Sequence, residues 1–229
     1  MEQIFVKISI MLVPALLAVT VHEVMHGFVA DKLGDPTARL LGRLTLNPIK
    51  HLDPIGTAAL LFFGFGWARP VPVNFANLRR TKHDMVWVAL AGPLSNLALA
   101  LACALVLRGL AFLVSATPIM ETVIGASIEP LALMAAFGLY INLILAVFNL
   151  IPLPPLDGGR VMVGLLPPQP AAALARVEPF GFVIILFLIF FTKGWELVLS
   201  PIVSFLVTLF AGPQAYVVHQ AMSFLFAQG

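Results

Sequence analysis

The sequence predicts an all-α polytopic membrane protein, with five or six membrane helices and a short β-hairpin or re-entrant element between the first two spans. Three observations predict it. The 229 residues are 60% hydrophobic and only 10% charged, whereas soluble domains are about 45–50% apolar and about 25% charged. Mean hydropathy is +1.01, and the apolar residues gather into stretches close to the roughly twenty needed to cross a bilayer as helix. Between the first two stretches lies a segment dense in proline and glycine. Little sequence remains for a separate soluble domain, so residues 1–229 are read as a single integral-membrane domain. Its core covers about 4–165, and further membrane helices cover about 178–228. A formal charge of +2 speaks against a nucleic-acid partner. The single cysteine, Cys103, permits no intrachain disulfide and reads as a packing thiol.

The first span covers about Ile4 to Ala30. It begins with Glu2, carries one base at Lys7 and is followed by no A-x-A-like site, so a retained helix is expected rather than a cleaved leader. Residues 31–81 are rich in turn signals: "GDP", "NPIKHLDPIG" and "GFGWARPVPVN". Alternation in "RPVPVNF" predicts a short strand, and its prolines assign it to an edge or hairpin. A second span runs from about Met85 to Leu107. A third, about Leu131 to Ile151, meets "PLPPLDGGR"; helix cannot persist through those prolines, so the chain unwinds and restarts near Asp157. A short fourth span near Phe180 to Phe191 and a fifth from Trp195 to Phe210 precede an amphipathic or inserted helix over Gln214 to Phe226. No internal repeat is visible.

The bases orient these spans. Lys32, Arg39, Arg43, Lys50, Arg69, Arg79, Arg80 and Lys82, eight of the thirteen Lys and Arg, fall between the first two spans. Excess Lys and Arg marks the cytoplasmic side. The first span then runs from outside to inside, with His22 near its cytoplasmic end. The third runs the same way and delivers "LDGGR" to the same depth.

Ionisable groups at membrane depth are functional candidates, because burying them there is costly. His22, Glu23 and His26 form H-E-x-x-H within the first apolar stretch. Positions four apart share a helix face, so the two imidazoles can bind one Zn²⁺ while Glu23 reaches its water as general base. A catalytic zinc needs a third protein ligand and an open position. His51, Asp53, His83 and His219 are available, but Asp157 is best placed, beside Gly158 and Gly159. A helix N-cap is the plainer role for it. Zn²⁺ with two neutral imidazoles and the carboxylates of Asp157 and Glu23 sums to zero charge, which a low-dielectric site tolerates.

Taken together, "HEVMH" (22–26), "AGPLSN" (91–96) and "FNLIPLPPLDGGR" (148–160) resemble the site-2 proteases, intramembrane zinc metalloproteases of the M50 type. The resemblance covers roughly Thr20 to Val163. It implies one Zn²⁺ per chain held by His22, His26 and Asp157, with Glu23 as catalytic acid/base. It also implies that Asn149 holds substrate or the developing oxyanion. A side-chain amide beside unwound backbone can polarise a carbonyl; satisfying the broken helix is the alternative. Asn96 is a weaker substrate-binding candidate, since Gly92, Ser95, Asn96, Ala98 and Ala102 equally suit close helix packing. His51 either touches substrate or is a loop histidine near Asp53. "FGFGWARPVPVN" resembles the family's membrane-associated β element, able to add a substrate strand or to anchor the loop at the interface. The chain has no room for the PDZ or CBS domains of larger members.

The expected function is thus intramembrane endopeptidase. Its partners are transmembrane protein substrates and the lipid bilayer, and its place a prokaryotic inner membrane with the site toward the cytoplasm. The alternative is a metal-ion transporter using the His/Asp cluster as a transit site; the lack of an inverted repeat weakens it.

Overall fold

The computed structural model describes residues 2–63 and 66–226. Ten α-helices fall within them: α1 Glu2–Leu33, α2 Thr37–Leu40, α3 Pro54–Phe63, α4 Thr81–Ala116, α5 Ile128–Asn149, α6 Asp157–Leu165, α7 Pro168–Ala175, α8 Glu178–Phe191, α9 Ser200–Ala211 and α10 Ala215–Phe226. Four helical stretches are long and apolar enough to cross a membrane: Phe5–Leu33, Thr81–Ala116, Ile124–Asn149 and Trp195–Phe226. A fifth is counted if Pro168–Ala175 and Glu178–Leu188, bent by 64°, form one broken span. The chain is therefore an all-helical membrane protein, with four or five spans among the described residues where five or six were expected. The last two expected segments merge, because Gly212 and Pro213 make only a 3-10 turn inside one stretch.

Among the described residues the expected β-hairpin is not formed. The described residues contain no strand, only an isolated antiparallel bridge between Leu52 and Ala68. Gly64 and Phe65, part of the stretch read as a β element, lie outside the described residues. The reason is in the donors. Pro70 and Pro72 have no amide hydrogen, and the amide of Val71 between them is taken by the Glu23 carboxylate. A partner strand finds no ladder of donors there.

The chain divides into two compact units. The first comprises Met1–Ala18, Asn96–Val147 and Trp195–Gly229. Its interior is built from helix faces at spacings of three and four: Ala100, Ala104 and Leu107 on α4, Ala135, Leu139 and Leu143 on α5, Val203, Val207 and Ala211 on α9, and Val218, Ala221 and Leu225 on α10. Many of these residues are small, which lets helix backbones approach closely in a membrane. Two buried amides tie the helices together. Asn96 donates to the Ala18 carbonyl at 3.2 Å and to Asn142 Oδ1 at 2.8 Å, and Asn142 donates to the Gly138 carbonyl.

The second unit comprises Val19–Ser95 and Phe148–Gly194. It combines the ends of long helices with short helices and irregular chain. Its small apolar cluster joins Ala30, Leu78 and Val88, and much of its loop structure is fastened by carboxylates. Asp35, fully buried, accepts from Asn74 N at 2.7 Å, Asn77 Nδ2 at 2.9 Å, and both the amide and hydroxyl of Thr37. That one side chain pins the turn after α1 to residues 74–77. Asp53 Oδ1 accepts from Gly56 N and caps the start of α3. Helix α5 stops at Asn149 because Pro152, Pro154 and Pro155 supply no amides for further turns. The chain restarts as α6 at Asp157.

Candidate metal centre

Every residue of the centre belongs to the second unit. On α1, residues 22 and 26 stand one turn apart on one face, as i,i+4 geometry requires. Their Nε2 atoms are 3.1 Å apart, and each lies 3.2 Å from Asp157 Oδ2. Three potential ligand atoms thus form a nearly equilateral triangle. Both His22 and Asp157 are buried, each 7% exposed.

The lone pairs of these atoms converge. His26 Nδ1 donates to the Val88 carbonyl at 2.7 Å; a carbonyl can only accept, so the neutral ring carries its hydrogen on Nδ1 and presents an unprotonated Nε2. Asp157 Oδ2 is buried with no hydrogen-bond donor. An orphaned carboxylate oxygen facing imidazole nitrogens is costly unless a cation sits among them. The dimensions suit one. A tetrahedral zinc with bonds of about 2.0 Å sets its ligand atoms about 3.3 Å apart, close to the edges observed here.

Asp157 reaches this position through its glycines. A Cβ on Gly158 would lie 2.3 Å from the Leu150 carbonyl oxygen, and one on Gly159 would lie 2.2 Å from Pro154 N. Only residues without a side chain let the start of α6 press against the Leu150–Pro155 loop. The N-cap position is filled by Leu156, so Asp157 is the first helical residue and its carboxylate is directed to the histidines.

Beside the triangle is a cavity of about 220 Å³ whose lining includes His22, Glu23, His26, Asn149, Asp157 and Arg160. Glu23 Oε2 accepts from Val71 N at 2.8 Å, which fixes one carboxylate oxygen. Asn149, the last residue of α5, is half-buried in the same lining. The structure therefore brings five of the six sequence-selected residues together: His22, Glu23, His26, Asn149 and Asp157. Asn96 is not in the lining; its amide is occupied by Ala18 and Asn142. Of the other histidines, His51 is buried and bonds through Nε2 to the Thr45 carbonyl, His83 lies 3.2 Å from Asp84 Oδ1, and His219 is exposed on α10.

Sequence reasoning missed one contributor. Gly92, in "AGPLSN", was read as a packing residue. A Cβ at Gly92 would lie 2.4 Å from His26 Nε2 and 2.7 Å from His22 Nε2. The absence of that atom leaves room for the two imidazoles and anything between them. The one available signal was its motif, which says that a small residue is needed but not against what.

Comparison with known proteins agrees with this geometry. The model of peptidase family M50 matches residues 10–191. The chain is similar to "Putative zinc metalloprotease YwhC" of Bacillus subtilis, 41% identical over 194 residues and 85% of each chain. It is 31% identical over 188 residues to "Putative zinc metalloprotease Rip2" of Mycobacterium tuberculosis, covering 79% of this chain and 67% of the relative. It is 30% identical over 147 residues to "Putative zinc metalloprotease MJ0611" of Methanocaldococcus jannaschii, covering 62% of each. No solved structure matches the chain.

Proposed function

This chain belongs to peptidase family M50, and we propose that it is a zinc-dependent endopeptidase that hydrolyses peptide bonds in or near transmembrane segments of other proteins. One observation carries the proposal: three convergent ligand atoms line a cavity together with Glu23, and His22, Glu23 and His26 stand on a helix long and apolar enough to span a bilayer.

In this reading His22, His26 and Asp157 hold one zinc ion, and the names of the similar proteins agree with that metal. When bound, the zinc acts as a Lewis acid on the scissile carbonyl and lowers the pKa of water in the site. Glu23 does the proton work. With Oε2 engaged by the Val71 amide, its other carboxylate oxygen accepts a proton from the attacking water. It returns that proton to the leaving nitrogen as the C–N bond breaks. Asn149 Nδ2 donates to the oxygen on which charge develops. A peptide bond inside an intact helix is shielded, so the substrate must unwind locally. Helix-weakening residues near the scissile bond favour that.

The whole chain acts as one protease domain, its catalytic core about residues 4–165, with the site toward the cytoplasm of a prokaryotic inner membrane. The excess of Lys and Arg between the first two spans supports that orientation. Membership of a peptidase family leaves the ion-transit alternative without support.

The test compares the purified protein with Glu23→Gln in liposomes holding a membrane-inserted model substrate. The variant is expected to keep its zinc and to lose cleavage by about 10²–10⁴-fold. Undiminished cleavage by the variant would overturn the assignment. Zinc flux across the vesicles without cleavage would restore the transit-site alternative.

A further inference from the structure

The stretch from Arg43 to Asp53, conspicuous in the sequence yet absent from the cavity lining, bears on the far side of the hydrogen bond that holds Glu23. Arg43 Nη2 donates to the carbonyl of Arg69 at 3.0 Å and to that of Pro70 at 3.4 Å. The Arg69 amide donates to the His51 carbonyl at 2.8 Å, so residue 69 is held through both its amide and its carbonyl. His51, 1% exposed, is itself fixed by donating Nε2 to the Thr45 carbonyl. This loop is a clasp on residues 69 and 70.

The Pro70 carbonyl and the Val71 amide belong to a single peptide unit, which is planar and rotates as one body. Arg43 holds its oxygen; its hydrogen is directed at Glu23 Oε2, 2.8 Å away. Turning that plane would loosen both bonds at once. Pro70 and Pro72 restrict the flanking backbone. The Val71 side chain is buried against α1 at Gly27, where an added Cβ would meet Val71 Cγ1 at 2.7 Å. The amide is therefore aimed at a carboxylate one turn away on the same helix.

We propose that Arg43 is a positioning residue for Glu23, acting through the Pro70–Val71 peptide and without contact to substrate or metal. The proposal rests on the reading of Glu23 as proton acceptor. A planar guanidinium suits the task, since it presents donors in a fixed fork; an ammonium is a mobile point donor.

The test uses the full zinc-loaded chain in liposomes with the same membrane-inserted substrate. Arg43→Gln is expected to keep one zinc per chain, to leave KM within about twofold and to lower kcat by about tenfold or more, as a misplaced catalytic group does. Arg43→Lys should lose less. In a Glu23→Asp background the shortened carboxylate no longer meets the Val71 amide, and the Arg43→Gln loss should shrink below about twofold. Equal losses in both backgrounds would overturn the proposal, as would an unchanged kcat. If Arg43→Gln does not fold, Arg43→Lys carries the same cycle; zinc lost from both variants would also overturn it. Normal cleavage by Glu23→Gln is a separate result: it removes the proton-acceptor reading. A strict need for Glu23 beside an indifferent Arg43 removes only the clasp.

Discussion

The two compact units hold themselves together by different means. In the unit of Met1–Ala18, Asn96–Val147 and Trp195–Gly229, the interior is a set of alanine, valine and leucine faces, and the buried polar residues Asn96 and Asn142 satisfy one another. In the unit of Val19–Ser95 and Phe148–Gly194, the buried polar residues include His22, Asp35, His51, Asp84 and Asp157. Asp35 has all its acceptors filled, whereas Asp157 Oδ2 has none filled. A packed apolar interior is indifferent to where a lone pair could go. A reactive one must keep a few lone pairs unspent, and it does so by fastening everything around them with backbone hydrogen bonds.

The sharpest way to break this contrast is to fill the space left at Gly92. Gly92→Ala is expected to lower both zinc content and cleavage by about 100-fold, read by metal analysis and substrate turnover, because its methyl would lie 2.4 Å from His26 Nε2. Retained zinc would show that the imidazoles have another way to open.

Next in size is Asp35→Asn, expected to cost about 2 kcal/mol of stability by removing a charged, fully bonded acceptor. Burial opposes the charge on Asp35, but hydrogen bonds from Thr37, Asn77 and Asn74 outweigh it and hold the carboxyl below its usual range. A lowered folded pKa means the stabilisation is complete above about pH 4 and is lost as pH falls further. Thermal midpoints should fall with acidification in the parent and be flatter in the variant.

Asn96→Ala, in the apolar unit, is expected to cost about 0.6–1.7 kcal/mol while leaving kcat unchanged, measured by unfolding in detergent and by turnover. A selective loss of turnover would return Asn96 to the substrate-binding candidates. The smallest effect is expected at Gly109, on the same helix as Gly92. A Cβ there meets nothing within 4 Å, so Gly109→Ala should leave activity alone and gain about 0.5–1 kcal/mol of stability.

Much of the centre was legible because its chemistry is periodic or punctuated. His22 and His26 declare a helix face by their spacing, and Asp157 follows a run of prolines that must end a helix. Three features were not legible. "RPVPVNF" alternates like a strand, but the Val71 amide goes to a carboxylate 48 residues earlier, a pairing no local pattern carries. The role of Gly92 is a matter of space near two side chains from another helix, and a missing atom leaves no mark on the sequence beyond smallness. The join between the expected fifth span and the tail helix was not legible either, since Gly212 and Pro213 interrupt one helical stretch by no more than a 3-10 turn.

Pro93 follows Gly92 inside α4. It has no hydrogen on nitrogen, so the carbonyl of Ala89 goes without the partner it would find four residues on. Ala89 and Val88 both border the cavity, and the Val88 oxygen already serves His26. A cavity already lined by charged side chains thereby gains a backbone acceptor at its border with no further hydrophilic residue added. It can accept a hydrogen bond from a polar donor, which surrounding lipid tails cannot supply.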